Sequence, residues 1–130
     1  MALAETVERH EISDMIEFNG DKQIRKKVLQ SKGAICEIVC YLPGQSTVLH
    51  QHPMQDEIFY VIDGSGTITF EDQDDIPVKR SSIVFVPAGV VHGVDAPGPD
   101  NLVLMFTKGP GVTGKAAKGF MLGEAPAPAG

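Results

Sequence analysis

From Ile24 to Thr107 the chain alternates between short apolar runs and turn-forming clusters. The runs are IRKKVLQ, AICEIVCYL, STVLHQH, EIFYVI, TITFE, IPVK, SIVFVP, VVHGV and NLVLMFT. They are rich in Val, Ile, Phe, Tyr and Thr, whose branched or flat side chains suit a pleated surface. Between them stand Ser31-Lys32-Gly33, Pro43-Gly44, Asp63-Gly64-Ser65-Gly66, the acidic stretch from Glu71 to Asp75, and Ala96-Pro97-Gly98-Pro99. Glycine supplies the positive φ, and proline the fixed φ, that tight turns need. No helical period of useful length interrupts the pattern. Nine short strands at such intervals predict an all-β fold, a sandwich or barrel of antiparallel sheets.

Several strands are apolar on both faces. IFYVI, SIVFV and LVLMF do not alternate with polar residues, as a sheet with one wet face should. Such strands need cover on both sides, which predicts a homodimer that buries one sheet's outer face; the alternative is cover from the chain's own ends. Residues 1–22 read as a polar arm with irregular apolar positions (Val7, Ile12, Met15, Ile16, Phe18) and one short helical turn around Ser13 to Glu17. Residues 23–108 form the β domain. Residues 109–130 form a tail rich in Gly, Pro and Ala, where KGFML is the segment expected to dock and the final APAPAG is expected to be extended.

Composition narrows the partners. One domain fits 130 residues, and 42% hydrophobic with 22% charged residues is ordinary for a globular chain. A net charge of -6 argues against nucleic acid or an anionic membrane, since phosphate binding needs a basic surface. The cluster Arg25-Lys26-Lys27 reads as a solvated strand face. No cationic start precedes an apolar run at the N-terminus, and no stretch reaches the roughly 18 apolar residues of a membrane span, so the expected location is the cytoplasm. Cys36 and Cys40 share a strand with their α-carbons about 13 Å apart, too far for a mutual disulfide. They read as small buried hydrophobes, with lining a pocket as the functional alternative.

The chemistry lies in three of the four histidines. Two residues apart on a strand, His50 and His52 project to one face. Glu57 follows beyond Pro53, where a turn can present it from the next strand. His92 follows a Pro-x-Gly turn after an apolar strand and can reach the same point from across the sheet. Imidazoles plus a carboxylate suit one divalent ion of iron, manganese, nickel, cobalt or zinc, and the lack of nearby thiolate ligands argues against a structural zinc. His10, in the arm, reads as a surface residue.

At these residues the sequence resembles the cupins. Their first motif is G, five residues, HxH, three or four residues, E, six residues, G, and Gly44, His50, His52, Glu57 and Gly64 fit every position. In the second motif Pro87, Gly89 and His92 fit, while Ser81 stands for the opening Gly and Ala96 for the closing Asn. The first departure implies that the turn before that strand is made differently; the second removes a structural side chain. The resemblance covers roughly residues 24–107. It implies a double-stranded β-helix, a jelly-roll-like barrel of two antiparallel sheets, often dimeric, with His50, His52, Glu57 and His92 converging on a metal inside.

Four ligands on an octahedral ion leave two positions for water, dioxygen or a bidentate substrate. Strand alternation turns Val48, Phe59 and Val61 inward with the ligands, and Met105 or Phe106 faces the pocket from the last strand, parity not deciding which. Cys36 and Cys40 are further lining candidates. The pocket reads as apolar, suited to a small organic substrate or ligand. No inward arginine stands out, and Tyr60 and Gln55 are weak acid–base candidates. The leading expectation is a metal-dependent dioxygenase; the alternatives are a Lewis-acid isomerase, lyase or decarboxylase, and a non-catalytic small-ligand-binding protein.

Overall fold

In the computed structural model, which describes residues 2–112, the β-rich pattern becomes eight strands. They are β1 (Ile24–Gln30), β2 (Ile35–Tyr41), β3 (Ser46–His50), β4 (Asp56–Phe70), β5 (Ile76–Lys79), β6 (Ile83–Val86), β7 (His92–Asp95) and β8 (Leu102–Gly109). A short 3-10 helix over Ile12–Met15 marks the arm. One antiparallel sheet runs β1-β2-β8-β4-β6, and the other runs β5-β4-β7-β3. This is the double-stranded β-helix of the sequence reading, with β4 belonging to both sheets.

The nine expected strands are eight because EIFYVI and TITFE are one. Asp63-Gly64-Ser65-Gly66 reads as a turn in sequence, yet β4 passes through it without reversing. Residues up to Gly64 pair with β8, and those from Ser65 pair with β5 and then β7. The register shifts between Val61 and Asp63, and Gly64 takes φ +83. The glycines serve a bend from one sheet into the other, where the chain runs close against Asn101 and Leu102. Gly-rich segments inside strands mark such bends as often as they mark turns.

Two apolar clusters share the outer strands. Val39, Tyr41, Phe59, Val61, Ile68, Leu104 and Phe106 fill the interior between the sheets. Val28, Ile38, Cys40 and Val103 form a second cluster on the other face of β1, β2 and β8, and the arm residues Ile12, Met15, Ile16 and Phe18 pack over it with Cys36 and Met105. The chain's own arm therefore covers this face. Cys36 and Cys40, both free thiols, lie under the arm and not in the interior. Burial raises both thiol pKa values, Thr107 and Glu17 hydrogen bonds pulling the other way for Cys36 and Cys40 respectively. Among the described residues the outer face of β4 and β6 has no such cover: Ile58, Tyr60, Ile83 and Phe85 are exposed across the pairs Ile58–Phe85 and Tyr60–Ile83.

Ser81, which stands where the second motif has glycine, adopts φ +74. The turn before β6 thus uses the left-handed conformation that glycine reaches without strain. The KGFML and APAPAG segments lie outside the described residues.

Candidate metal centre

The two sheets bring the ligand candidates to one end of the interior. His50 closes β3 and pairs directly with His92, which opens β7. His52 lies beyond the strand end, in the turn leading to β4, and Glu57 is the second residue of β4. Two backbone ties hold these loops together. The Gly89 N–H donates to the His52 carbonyl at 3.0 Å, and the Ala88 N–H donates to Asp56 Oδ1 at 3.0 Å. Because His52 is off the strand, it converges with His50 through this turn and not through strand alternation.

The ring nitrogens of His50, His52 and His92 all lie within 4.8 Å of one another, a group that can hold a metal ion. Nitrogens sharing one ion at bonds of about 2.1 Å stand roughly 3 to 4 Å apart, so small side-chain rotations close the set. Each tautomer is decided by a carbonyl. His50 Nδ1 is 2.8 Å from the Val48 carbonyl and His92 Nδ1 is 2.8 Å from the Val90 carbonyl. A carbonyl only accepts, so each Nδ1 carries the proton and each Nε2 presents a lone pair inward. This is the outer hydrogen bond that orients metal-bound imidazoles.

The Glu57 carboxylate, 3% exposed, lies against two of these rings. Its Oε1 is 2.8 Å from His92 Nε2 and 3.6 Å from His52 Nε2. Both Glu57 Oε1 and His92 Nε2 are buried without a hydrogen-bond partner. Two lone pairs facing each other in the interior need a proton or a cation between them. The donor set of imidazoles and carboxylate therefore fits a divalent transition metal.

The local fields differ from ring to ring. Burial drives the His52 pKa down to about 4, against the pull of the Glu57 charge, with Lys108 and the other rings adding to the fall. Burial also presses on His92, but the Glu57 carboxylate 2.8 Å away and the Val90 carbonyl outweigh it and the net shift is upward. His52 is thus held neutral and ready to ligate, while His92 is the ring on which a proton competes. His10 sits apart, paired with Glu8 in the arm.

A cavity of about 300 Å³ opens onto these residues, lined by Arg25, Tyr41, Thr47, Val48, His50, His52, Glu57, Phe59, Val94 and Phe106. Phe59 and Phe106 lie 5.8 Å apart between ring centroids and form its apolar wall. Several expected lining residues sit elsewhere. Val61 is buried in the core and Met105 packs on the arm side, so Phe106 is the inward residue of β8. Cys36 and Cys40 also face the arm. Val48 reaches only the rim, at 78% exposure, because β3 carries an extra residue between Thr47 and His50 relative to β7. That bulge turns Thr47 to the interior, where its hydroxyl bonds Tyr41 at 2.7 Å.

Neither weak catalytic candidate lines the cavity. Tyr60 is on the open outer face of β4. Gln55 is buried and donates through Nε2 to the Pro110 carbonyl at 2.7 Å, tying down the end of β8. Four lining residues were not read from the sequence: Arg25, Tyr41, Thr47 and Val94. Arg25 looked like part of a solvated basic face, and nothing local to it signals that β1 borders the cavity. Burial pushes the Tyr41 phenol up to about 12, despite the Thr47 hydrogen bond and the Arg25 charge, so it stays a proton donor.

Comparison with known proteins agrees with this fold. The model of the cupin domain family matches residues 37–108. An oxalate-binding protein of Thermotoga maritima is 27% identical over 79 residues, covering 61% of this chain and 64% of its own. The chain spans less than two thirds of the length of the curated relatives it matches. A solved protein with a double-stranded β-helix domain from Klebsiella pneumoniae superposes with a TM-score of 0.76 at 22% identity, covering 84% of this chain and 95% of that one. An RmlC-like cupin protein from Desulfovibrio desulfuricans gives 0.75 at 19% identity, covering 82% and 100%. Among the described residues no helix is long and apolar enough to cross a membrane.

Proposed function

The chain belongs to the cupin family, and on that premise we propose that it is a metal-dependent enzyme acting on a small organic substrate, with dioxygenase chemistry as the leading reaction. One divalent transition ion sits on His50, His52 and His92, with Glu57 as the fourth ligand. The observation that carries this is the buried pair of unpartnered acceptors, Glu57 Oε1 and His92 Nε2, 2.8 Å apart. An ion between them satisfies both. Iron(II) held by these residues would supply oxygen activation.

The choice of dioxygenase over isomerase or lyase rests on the cavity wall. Apart from the ligands, its polar groups are Arg25, Tyr41 and Thr47. Moving a proton to or from carbon calls for a base poised near neutral pH, and neither a guanidinium nor a phenol pushed to about 12 provides one. Adding both atoms of dioxygen to a substrate places no such demand on the wall. Here Phe59, Phe106 and Val94 exclude water from the reacting centre, and the hydrogen bond between Tyr41 and Thr47 holds the phenol in place. A Lewis-acid reaction with manganese, nickel, cobalt or zinc is the second reading. The similarity to an oxalate-binding protein supports a small oxygen-bearing ligand under either.

The reading includes a homodimer. With the β2 and β8 face closed by the arm, the uncovered Ile58, Tyr60, Ile83 and Phe85 are the surface a second copy would bury.

Metal analysis of protein purified without oxygen tests the site, and oxygen uptake across a substrate panel tests the reaction. We expect one metal per chain, lost in His52→Ala, and substrate-coupled oxygen consumption with iron. A His52→Ala protein that keeps stoichiometric metal at neutral pH sinks the metal site. Turnover with manganese, nickel or zinc and no oxygen uptake moves the reaction to the Lewis-acid class.

A further inference from the structure

One wall of the cavity carries a positive charge that the metal site does not use. Arg25 on β1 lines the cavity beside Tyr41 and Phe106. Its guanidinium carbon lies 5.0 Å from the centroid of the Phe106 ring, and Lys108 Nζ lies 5.2 Å from the same centroid. Both cations share one carboxylate. Arg25 Nη1 is 3.6 Å and Lys108 Nζ 3.7 Å from Glu37 Oε1. Two positive charges against one negative leave one uncompensated, and neither contact is short enough for a hydrogen bond.

The guanidinium is therefore oriented without being consumed. It has five N–H donors in a flat fork, and among the described residues its ion-pair partner is Glu37 alone, at that long distance. Its side chain is 41% exposed, so it can turn toward a ligand while the Phe106 ring supports its plane. Its charge also reaches the buried Tyr41 phenol, which places it in the field of the cavity. His50 and His52 line the same cavity. A cavity of about 300 Å³ is at the small end for ligand pockets.

We propose that Arg25 is the anion anchor of this cavity. Its ligand is a small organic carboxylate that pairs with the guanidinium at one end and presents a second oxygen donor to the three-histidine group at the other. The apolar body lies against Phe59, Val94 and Phe106. This rests on the cavity being the substrate site of the metal-dependent reading above. Arginine suits the task because its fork matches both oxygens of a carboxylate. Glu37 and Lys108 are positioning residues: Glu37 aims the guanidinium and Lys108 keeps that carboxylate from neutralising it.

Titration calorimetry with mandelate and mandelamide, on the full chain loaded with cobalt, tests the anchor. The two probes share shape and hydroxyl oxygen and differ in the charge at one end. Mandelate should bind more tightly. Arg25→Gln should weaken mandelate about ten- to hundredfold and leave mandelamide unchanged, while Arg25→Lys should restore part of the loss. Equal affinity for the two probes in the unaltered protein, no binding of either, or an equal loss of both in Arg25→Gln each overturns the proposal. The metal content of the unaltered protein separates the two claims. A carboxylate preference that still depends on Arg25, in an unaltered protein shown to hold no metal, keeps the anchor and discards the metal site.

Discussion

Gly64 and Gly89 are both motif glycines with positive φ, +83 and +85, and they should respond very differently to alanine. At Gly89 an added Cβ meets nothing within 4 Å, so alanine there costs only the left-handed conformation, about 1 to 2 kcal/mol. At Gly64 the Cβ would stand 1.6 Å from the Asn101 carbonyl oxygen, 2.7 Å from its carbon and 3.2 Å from Leu102 Cα. All three are backbone atoms, so no side-chain rotation relieves the contact. The start of β8 must move away by at least about 1 Å, straining its pairing with β4 and the packing of Leu102, which is fully buried. A lost ladder hydrogen bond at about 1 kcal/mol and disturbed packing at about 1 to 3 kcal/mol add to the torsional cost. Gly64→Ala should therefore lose about 3 to 6 kcal/mol, a large part of a typical folding free energy. At about 4 °C per kcal/mol for a domain of this size, the melting temperature falls by about 15 °C, against about 5 °C for Gly89→Ala. Thermal melts followed by far-ultraviolet circular dichroism measure both, since the chain has no tryptophan. Equal destabilisation of the two variants would refute the reading of Gly64 as a close-approach glycine.

Ser81→Gly should act in the opposite sense. It relieves a non-glycine φ of +74 and, after the added freedom of the unfolded chain, should gain roughly 0.5 kcal/mol; a fall in melting temperature in the same assay would contradict this. In metal-free protein the histidines set two pH windows. His52, with a folded pKa near 4 against about 6.5 unfolded, leaves the unfolded chain binding more protons between those values. Stability should drop as pH falls from about 6.5 to 4. His92, whose folded pKa is raised, contributes fully below about 6.5 and loses that contribution as pH rises through its folded value. Urea melts should show His52→Gln flattening the acid limb and His92→Gln the alkaline one, and an unchanged acid limb in His52→Gln would count against the burial of that ring. Finally, Phe85→Asp places a charge in the middle of the uncovered β4 and β6 face. Sedimentation should show a dimer become a monomer; an unaffected dimer would move the interface elsewhere.

What could be read along the chain was whatever depends on neighbours in sequence. The strands from Ile24 to Gln30 and from Ile76 to Lys79 match their apolar runs end to end, because branched residues bounded by turn formers carry their own signal. The three converging histidines were legible for a related reason. His50 and His52 are two residues apart, and His92 is delivered by its own Pro-x-Gly turn. Parity was the first thing to fail, since one extra residue in β3 brought Thr47 to the cavity and left Val48 at its rim, and a bulge leaves no mark in composition.

The second failure is more instructive, because it concerns the wall and not the ligands. β8 is apolar on both faces, so sequence cannot tell Met105 from Phe106. What decides between them is the arm, whose Ile12, Met15, Ile16 and Phe18 cover the Met105 side and leave Phe106 to the cavity. The position of Arg25 follows from the same long-range pairing. β1 reaches the cavity only through β2 and then β8, and its basic run looks solvated until that order is known. The residues proposed to hold a metal are thus legible from local spacing, whereas the residues that would select a substrate are a property of strand order. That division is why spacing alone indicates a metal site yet says nothing of a carboxylate, and why the substrate class has to be argued from Arg25, Phe106 and Glu37 together.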